Sequence, residues 1–223
     1  MSVVADNIRY LRDSLPKGVN LVAVSKFHPE DVVMEAYDAG QRIFGESRAQ
    51  ELLRKAGNMP NDIEWHFIGH LQTNKVRSIV PVVSLIHSID SEKLLRCVDS
   101  EAARIGKVVD VLLQLHVAKE ATKFGMTREE CEALVESGAV DSLKNVRIRG
   151  VMAMATNTDC EDEIRREFRA AREAYEELRI GAMSGREYFS ILSMGMSEDY
   201  KIAIEEGSDM VRIGSMIFGE RQY

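Results

Sequence analysis

The stretch Leu21-Val22-Ala23-Val24-Ser25-Lys26-Phe27-His28-Pro29 decides the fold class of this 223-residue chain. Its first four residues are apolar without alternation, which predicts a strand that is buried on both faces, as in a parallel sheet. The turn that follows contains neither GxGxxG nor GxxxxGK[ST], the glycine-rich signatures of nucleotide-binding open sheets. The stretch therefore favours a closed barrel over an open, doubly wound sheet.

Seven more short apolar segments follow, and stretches with helical periodicity separate them. Together the predicted strands are 20–25, 42–45, 64–68, 85–89, 108–117, 149–153, 189–193 and 210–213. The longest predicted helix covers 159–180, and one of its faces is apolar. Repeated strand–helix units without an intervening linker predict one domain over residues 1–223, an α/β single-domain TIM (β/α)8 barrel.

Composition and charge limit the classes of function. Hydrophobic residues make up 45% of the chain and charged residues 29%, which suits one sizeable core. The net charge of −7 opposes non-specific attraction to nucleic acid or to an anionic membrane. The start of the chain lacks a signal peptide, and no segment reaches the roughly 20 apolar residues of a membrane span. We therefore expect a cytoplasmic monomer with neither a nucleic-acid nor a membrane partner.

Cysteine and histidine spacing does not indicate a metal site. Cys97, Cys131 and Cys160 are far apart and contain no CxxC pair, which argues against a disulfide framework or a zinc ribbon. His66 and His70 are four residues apart, but the residues between them are typical of a strand that enters a loop. We expect no metal at either group.

Lys26 is the first candidate for chemistry, because it ends an apolar strand on the same face as Val22 and Val24. In a barrel this position projects from the mouth, where active groups lie. Partial desolvation favours the neutral form of an amine, and a neutral amine attacks an aldehyde to form a Schiff base. The alternative is a strand-end lysine that simply reaches solvent.

The turn after the eighth strand is a candidate phosphate site. Gly214 lets backbone N–H groups approach an anion, Ser215 adds a hydroxyl donor, and Arg212 adds positive charge. Barrels commonly seat a phosphate between the loops that follow strands seven and eight.

The turn after the seventh strand offers donors of the same kind. Ser193 and Gly195 lie in it, and we expect them to share the phosphate with the turn after the eighth strand. The alternative is that both are ordinary glycine turns and that Ser197 caps the helix that follows.

Five motifs, taken together, carry a resemblance to a known family. They are LVAVSK (21–26), FGES (44–47), WHFIGHLQTNK (65–75), SMGMS (193–197) and VRIGS (211–215). In this order they resemble the motifs of the pyridoxal 5′-phosphate homeostasis protein family over nearly the whole chain. The resemblance implies a barrel related to the amino-terminal domain of alanine racemase, with pyridoxal 5′-phosphate held on a lysine.

The resemblance also assigns roles to individual residues. It makes Lys26 the cofactor lysine, Arg212 the arginine beside the cofactor, and Ser193, Gly195, Gly214 and Ser215 the phosphate contacts. Two positions depart from the family pattern: Ser47 replaces the asparagine of FGEN, and His70 replaces the proline of FIGPLQ. The first departure removes an asparagine contact that the family has near the cofactor.

Three functions are compatible with such a site. The resemblance implies a protein that holds the cofactor as an internal aldimine and buffers, stores or delivers it to apo-enzymes, without efficient catalysis of its own. An amino-acid racemase needs an acid/base on each face of the α-carbon, whereas Lys26 serves one face and Tyr223 is the candidate for the other. A Schiff-base aldolase for phosphorylated sugars would use Lys26 and the phosphate turns without a cofactor.

Overall fold

The computed structural model describes residues 2–119 and 124–219, which contain a closed barrel of eight parallel strands. The strands pair in chain order, and the last strand pairs with the first. Their bounds are β1 Asn20–Val24, β2 Ile43–Glu46, β3 Glu64–Phe67, β4 Val83–Ile89, β5 Val109–Leu115, β6 Val146–Ala153, β7 Ile191–Ser193 and β8 Met210–Ile213. The predicted eight-stranded barrel is confirmed, and the open sheet is excluded.

Helices follow the strands around the outside of the barrel. They are α1 Val3–Ser14, α2 Glu30–Asp38, α3 Ala49–Asn58, α4 Thr73–Ile79, α5 Glu92–Arg104, α6 Arg128–Glu136, α7 Glu161–Ile180, α8 Tyr200–Glu205 and α9 Ser215–Phe218, with a 3-10 turn at Val140–Ser142. Side-chain caps begin three of them: Ser2 accepts the Ala5 N–H at the start of α1, Ser91 accepts the Leu94 N–H before α5, and Thr127 forms a capping box with Glu130 before α6. Within the described ranges, no helix is both long and apolar enough to cross a membrane.

Four strand predictions need correction. β4 begins at Val83 rather than Leu85, and β5 ends at Leu115 rather than Val117. β6 begins at Val146 rather than Arg149, because Arg147 and Arg149 both reach Asp110 on β5, at 2.7 and 2.6 Å, and extend the pairing. β7 begins at Ile191 rather than Phe189, whose ring instead stacks on Tyr175 of α7 with the centroids 5.3 Å apart. The first residues of β6 include charged side chains, so the apolar pattern does not predict them as part of the strand. The apolar Phe189 makes the predicted β7 begin two residues too early.

Two sets of apolar side chains pack on opposite sides of the strands. The larger set lies between the barrel and the helices and includes Leu21 and Ala23 of β1. The smaller set fills the barrel interior and contains Val22, Leu85, Leu112, Met152 and Met210. This alternation follows from strand geometry, because successive side chains point to opposite faces. The interior is therefore packed, and the site lies above it, at the carboxyl ends of the strands.

Gly150 marks the closest approach of β6 and β7. Its φ is +152°, and a Cβ atom on it would lie 1.8 Å from the carbonyl oxygen of Ile191. We predict that Gly150→Ala lowers the free energy of unfolding by about 3 kcal/mol or more, because the two paired backbones cannot separate without losing hydrogen bonds.

The matched control is Gly57→Ala in α3, where a Cβ atom would meet nothing within 4 Å. This change should be neutral or stabilise by roughly 0.5 kcal/mol, because alanine favours the helix. Urea unfolding of both variants provides the measurement. Equal stabilities would show that the contact between β6 and β7 is not tight.

Candidate functional site

A cavity of about 400 Å³ opens at the barrel mouth. Its lining residues come from the carboxyl ends of the strands and the loops that follow: Val24, Lys26, His28, Ile68, Met154, Ala155, Thr156, Asn157, Thr158, Ile164, Met196, Ser197, Glu198, Asp199, Arg212, Gly214, Ser215 and Gly219. Of the six predicted site residues, four line this cavity: Lys26, Arg212, Gly214 and Ser215. A second cavity, of about 410 Å³, lies between the carboxyl end of β5, α6 and α7.

Lys26 reaches the cavity from a tight turn that directly follows β1. The turn is closed by the His28 N–H, which donates to the carbonyl oxygen of Ser25 at 3.1 Å. Phe27, next to Lys26, has a φ of +69°, a left-handed conformation that is uncommon for a residue other than glycine. Lys26 itself is partly buried. The turn therefore exposes one face of the lysine to the cavity while the barrel covers the other.

Arg212 lies on β8 and is buried at the base of the cavity. Its Nη1 donates to the carbonyl oxygen and to Oγ of Ser193, at 3.0 and 2.6 Å, and its Nη2 donates to the Ala153 carbonyl at 3.0 Å. Burial lowers the pKa of Arg212 to about 10, so the guanidinium is still protonated at neutral pH. A guanidinium has five N–H groups, and the described part of the chain accepts three of them. The other two can serve a ligand.

A chain of hydrogen bonds continues from Arg212 into the barrel interior. Ser193 Oγ lies 3.3 Å from His87 Nδ1, and His87 Nε2 lies 3.0 Å from His66 Nδ1. Because a guanidinium only donates, we assign Ser193 as acceptor from Arg212 and donor to His87, which places the His87 proton on Nε2. Burial lowers the pKa of His66 to about 3 and that of His87 well below 6.5, so both rings are neutral. These hydrogen bonds hold Arg212 in place, and the nearby carboxylate of Asp199 adds a favourable charge interaction.

This chain of hydrogen bonds changes the interpretation of the turn after β7. Ser193 is fully buried, and its hydroxyl contacts Arg212 and His87 below the cavity. Gly195 has a φ of +93°, and a Cβ atom on it would lie 2.7 Å from the Cβ of Ala203. Packing against α8 thus accounts for the glycine. Neither Ser193 nor Gly195 lines the cavity, contrary to the expectation that both contact it.

Ser197 supplies the hydroxyl that the turn after β7 presents to the cavity. Its Oγ accepts the Gly214 N–H at 3.2 Å, which joins the turns after β7 and β8. The alternative in which Ser197 caps the next helix is wrong, because Asp199 is the N-cap residue of α8 and accepts the Met196 N–H. Ser197 and Ser215 therefore stand in one wall with Gly214 between the two turns.

Sequence reasoning missed the third polar loop of the cavity. Thr156, Asn157 and Thr158 follow β6 and line the side contributed by that strand. A run of polar residues just after a predicted strand is the signal that would have found them. The departures at Ser47 and His70 both lie outside the cavity wall, and His70 stacks on Phe124 with the ring centroids 3.7 Å apart.

No metal site is found among the described residues, because no three side chains from His, Cys, Asp and Glu lie close enough to share an ion. The polar lining of the cavity instead combines one amine, one guanidinium and several hydroxyls with the imidazole of His28 and the carboxylates of Glu198 and Asp199. The amine, the guanidinium and the hydroxyls suit a small anionic molecule that carries an electrophilic carbon.

Comparison with known proteins places this geometry in a family. The family model described as alanine racemase, N-terminal domain, matches residues 1–222. A pyridoxal phosphate homeostasis protein of Aquifex aeolicus is 39% identical over 230 residues, which covers 100% of this chain and 97% of the relative. The solved structure of PipY from Synechococcus elongatus with PLP bound is 36% identical, with a TM-score of 0.87 and coverage of 97% of this chain and 100% of that chain. An alanine racemase from Clostridium difficile, 13% identical, shares the fold with a TM-score of 0.77, over 99% of this chain and 57% of the racemase.

The neutral state of His66 predicts a pH dependence of stability. Its pKa is lowered in the folded protein from 6.5 to about 3, so the unfolded chain binds the proton first as the pH falls. The contribution of His66 is complete above pH 6.5 and is lost as the pH falls towards the folded pKa, by up to about 1.4 kcal/mol per pH unit.

The measurement compares the free energy of unfolding of the wild type with that of His66→Asn, whose amide oxygen can still accept the His87 N–H. The advantage of the wild type over the variant should be constant above neutral pH and should shrink as the pH falls below 6.5. Taking the difference cancels the opposite effect of Asp209, whose pKa burial raises to about 6. A difference that does not change with pH would contradict a neutral, buried His66.

Proposed function

The chain belongs to the pyridoxal phosphate homeostasis protein family, built on the alanine racemase N-terminal domain, and from this premise we propose that it binds pyridoxal 5′-phosphate at the barrel mouth. One observation carries the proposal: a lysine, an arginine and two serines of this chain line a single cavity of about 400 Å³. The structure of PipY with PLP bound, which aligns over 97% of this chain, supports it.

The cavity residues fit the chemical parts of this cofactor. Its phosphate needs several donors, and Ser197 and Ser215 provide hydroxyls on two joined turns. A Cβ atom on Gly214 would lie 3.2 Å from the carbonyl oxygen of Val24, so glycine lets the turn after β8 approach β1 closely. The flat ring needs apolar contact, and Val24 and Ile68 are apolar residues that line the cavity.

Lys26 is proposed as the residue that holds the cofactor covalently. Its Nζ would bond to the aldehyde carbon of the cofactor, and the aldehyde oxygen would be lost as water. The link is reversible by addition of water or of another amine, which suits a protein that both retains and releases its ligand. When bound, pyridoxal phosphate supplies an electron-accepting ring conjugated to this bond.

Arg212 is proposed as an orienting residue at the base of the cavity. Its guanidinium stays protonated and can only donate, so it pairs with an acceptor such as an unprotonated pyridine nitrogen or a phosphate oxygen. The hydrogen bonds to Ser193 and Ala153 prevent it from turning away. Arg212 therefore selects a ligand with an acceptor at this position.

The proposed role of the chain is to buffer, store or deliver the cofactor rather than to catalyse a reaction. The Aquifex relative, named a homeostasis protein, aligns over 97% of its length, whereas the alanine racemase aligns over 57% of its own. Racemisation needs a second acid/base opposite Lys26, and the sequence candidate Tyr223 lies outside the described residues. Recipient apo-enzymes, a cytoplasmic location and a monomeric state stay predictions from sequence.

We predict that Lys26→Ala abolishes the visible or near-ultraviolet absorbance that pyridoxal phosphate gains when the wild type binds it, because no imine can form. The fold should be unchanged, as judged by circular dichroism. Lys17→Ala is the matched control, because Lys17 is exposed in the turn before β1, at the opposite end of the barrel. Retained absorbance in Lys26→Ala would refute the covalent assignment.

The proposed phosphate contacts Ser197 and Ser215, here termed the phosphate seat, are tested by comparing two aldehydes. Ser197→Ala and Ser215→Ala should each weaken binding of pyridoxal phosphate by about tenfold, since a hydrogen bond to a charged group is lost. Binding of pyridoxal, which lacks the phosphate, should change little. Equal losses for both aldehydes would mean that the serines shape the cavity instead of binding phosphate. Ser193→Ala is the control variant from the turn after β7, since its hydroxyl lies below the cavity and is not one of the two proposed phosphate contacts.

A further inference from the structure

We propose that Glu51 and Lys55 are positioning residues for Lys26, and that they act by fixing the backbone of the turn that carries it. The two residues belong to a buried group formed by Ser25, Glu46, Glu51 and Lys55, here termed the Lys55 cluster. The inference rests on the proposed function, because it concerns Lys26 as the amine that reacts with an aldehyde.

Lys55 is the centre of the cluster. It comes from α3, its side chain is fully buried, and its Nζ donates to the Ser25 carbonyl at 2.7 Å, to Glu46 Oε1 at 2.7 Å and to Glu51 Oε1 at 2.8 Å. An ammonium group has three N–H donors, and all three are used. Lys55 therefore fixes the peptide group on the amino-terminal side of Lys26.

Glu51 fixes the carboxyl-terminal side of Lys26. Its Oε1 accepts the backbone N–H of Phe27 at 2.7 Å, in addition to the Lys55 ammonium. Phe27 is the residue with a φ of +69°, and such a conformation persists only where the surroundings impose it. Arg48 adds a contact from above, with its guanidinium 4.6 Å from the centre of the Phe27 ring. Ser25 and Phe27, the two neighbours of Lys26, are thus held by side chains of α3 and of Arg48, the residue before α3.

Stability alone does not account for a cluster of this kind. Burying charged groups costs free energy that their attraction often fails to recover, and apolar residues of similar size serve a core equally well. Glu46 is fully buried, and its Oε2 has no hydrogen-bond partner among the described residues. The location is the informative feature, because Lys55 bonds the Ser25 carbonyl and Glu51 bonds the Phe27 N–H, one on each side of Lys26.

The expected consequence is kinetic. Imine formation requires the Lys26 amine to approach the aldehyde carbon along a narrow path, and small displacements of a reacting group slow such steps strongly. Lys55 does not compete with Lys26 for the aldehyde, because its side chain is buried and all three of its N–H groups are hydrogen-bonded. A loosened turn should slow the reaction of Lys26 while leaving the phosphate seat intact.

The experiment uses Glu51, because Lys55→Met would leave two carboxylates facing each other and risks unfolding the protein. Glu51→Ala removes the acceptor of the Phe27 N–H, and Glu51→Gln keeps an oxygen at that place. Val98→Ala, a buried change in α5 away from the cluster, controls for general loss of stability. Imine formation at saturating pyridoxal phosphate is followed by borohydride trapping and by mass mapping of Lys26. Affinity for pyridoxine 5′-phosphate, which lacks the aldehyde, is measured in parallel.

We expect Glu51→Ala to form the imine about tenfold more slowly than the wild type, with Glu51→Gln and Val98→Ala within about twofold. Affinity for pyridoxine 5′-phosphate should stay within about twofold in every variant. The inference is overturned if Glu51→Ala reacts like the wild type, if either other variant slows as much, or if pyridoxine 5′-phosphate affinity falls with the rate. A wild type that gives no adduct on Lys26 would instead refute the proposed function, and the inference with it.

Discussion

The pairing of β1 with β8 is the interaction on which the site depends. Val22 lies opposite Arg212 in this parallel register, and Ala23 lies opposite Ile213. The pairing closes the barrel and brings together the two ends of the chain, so that the turn carrying Lys26 lies beside the turn after β8. The short distance between a Cβ at Gly214 and the Val24 carbonyl reflects this contact. Without barrel closure, Lys26 and the turn after β8 would share no cavity.

Closure of the barrel also buries polar groups, and a buried polar group needs a hydrogen-bond partner. Two buried networks meet this need: the chain from Arg212 to His66 inside the barrel, and the Lys55 cluster between the barrel and α3. All three N–H groups of Lys55 and three of the five of Arg212 have acceptors, which limits the cost of burial. The first network holds a guanidinium against the cavity floor, and the second holds the backbone beside Lys26. Rigid support from behind is what a binding site needs if its reacting group is to stay aligned.

The sequence predicts the parts of this account that depend on local pattern. Lys26, Gly214 and Ser215 line the cavity, as their positions at the ends of recognisable apolar strands suggest. The position of Ser193 below the cavity could not be predicted, because the orientation of a three-residue strand depends on barrel geometry and on the contact with Arg212, which are not local. The pair Glu51 and Lys55 has the spacing of an ordinary solvent-exposed helix pair, so only the structure reveals its burial.

The covalent bond that we propose between Lys26 and pyridoxal phosphate at the barrel mouth can be tested directly. The test is borohydride reduction of the wild-type protein with bound pyridoxal phosphate, followed by peptide mass mapping. We expect a single reduced adduct, on the peptide that contains Lys26, and loss of the absorbance band on reduction. An adduct confined to another lysine, or no adduct in a protein that nevertheless binds the cofactor, would contradict it.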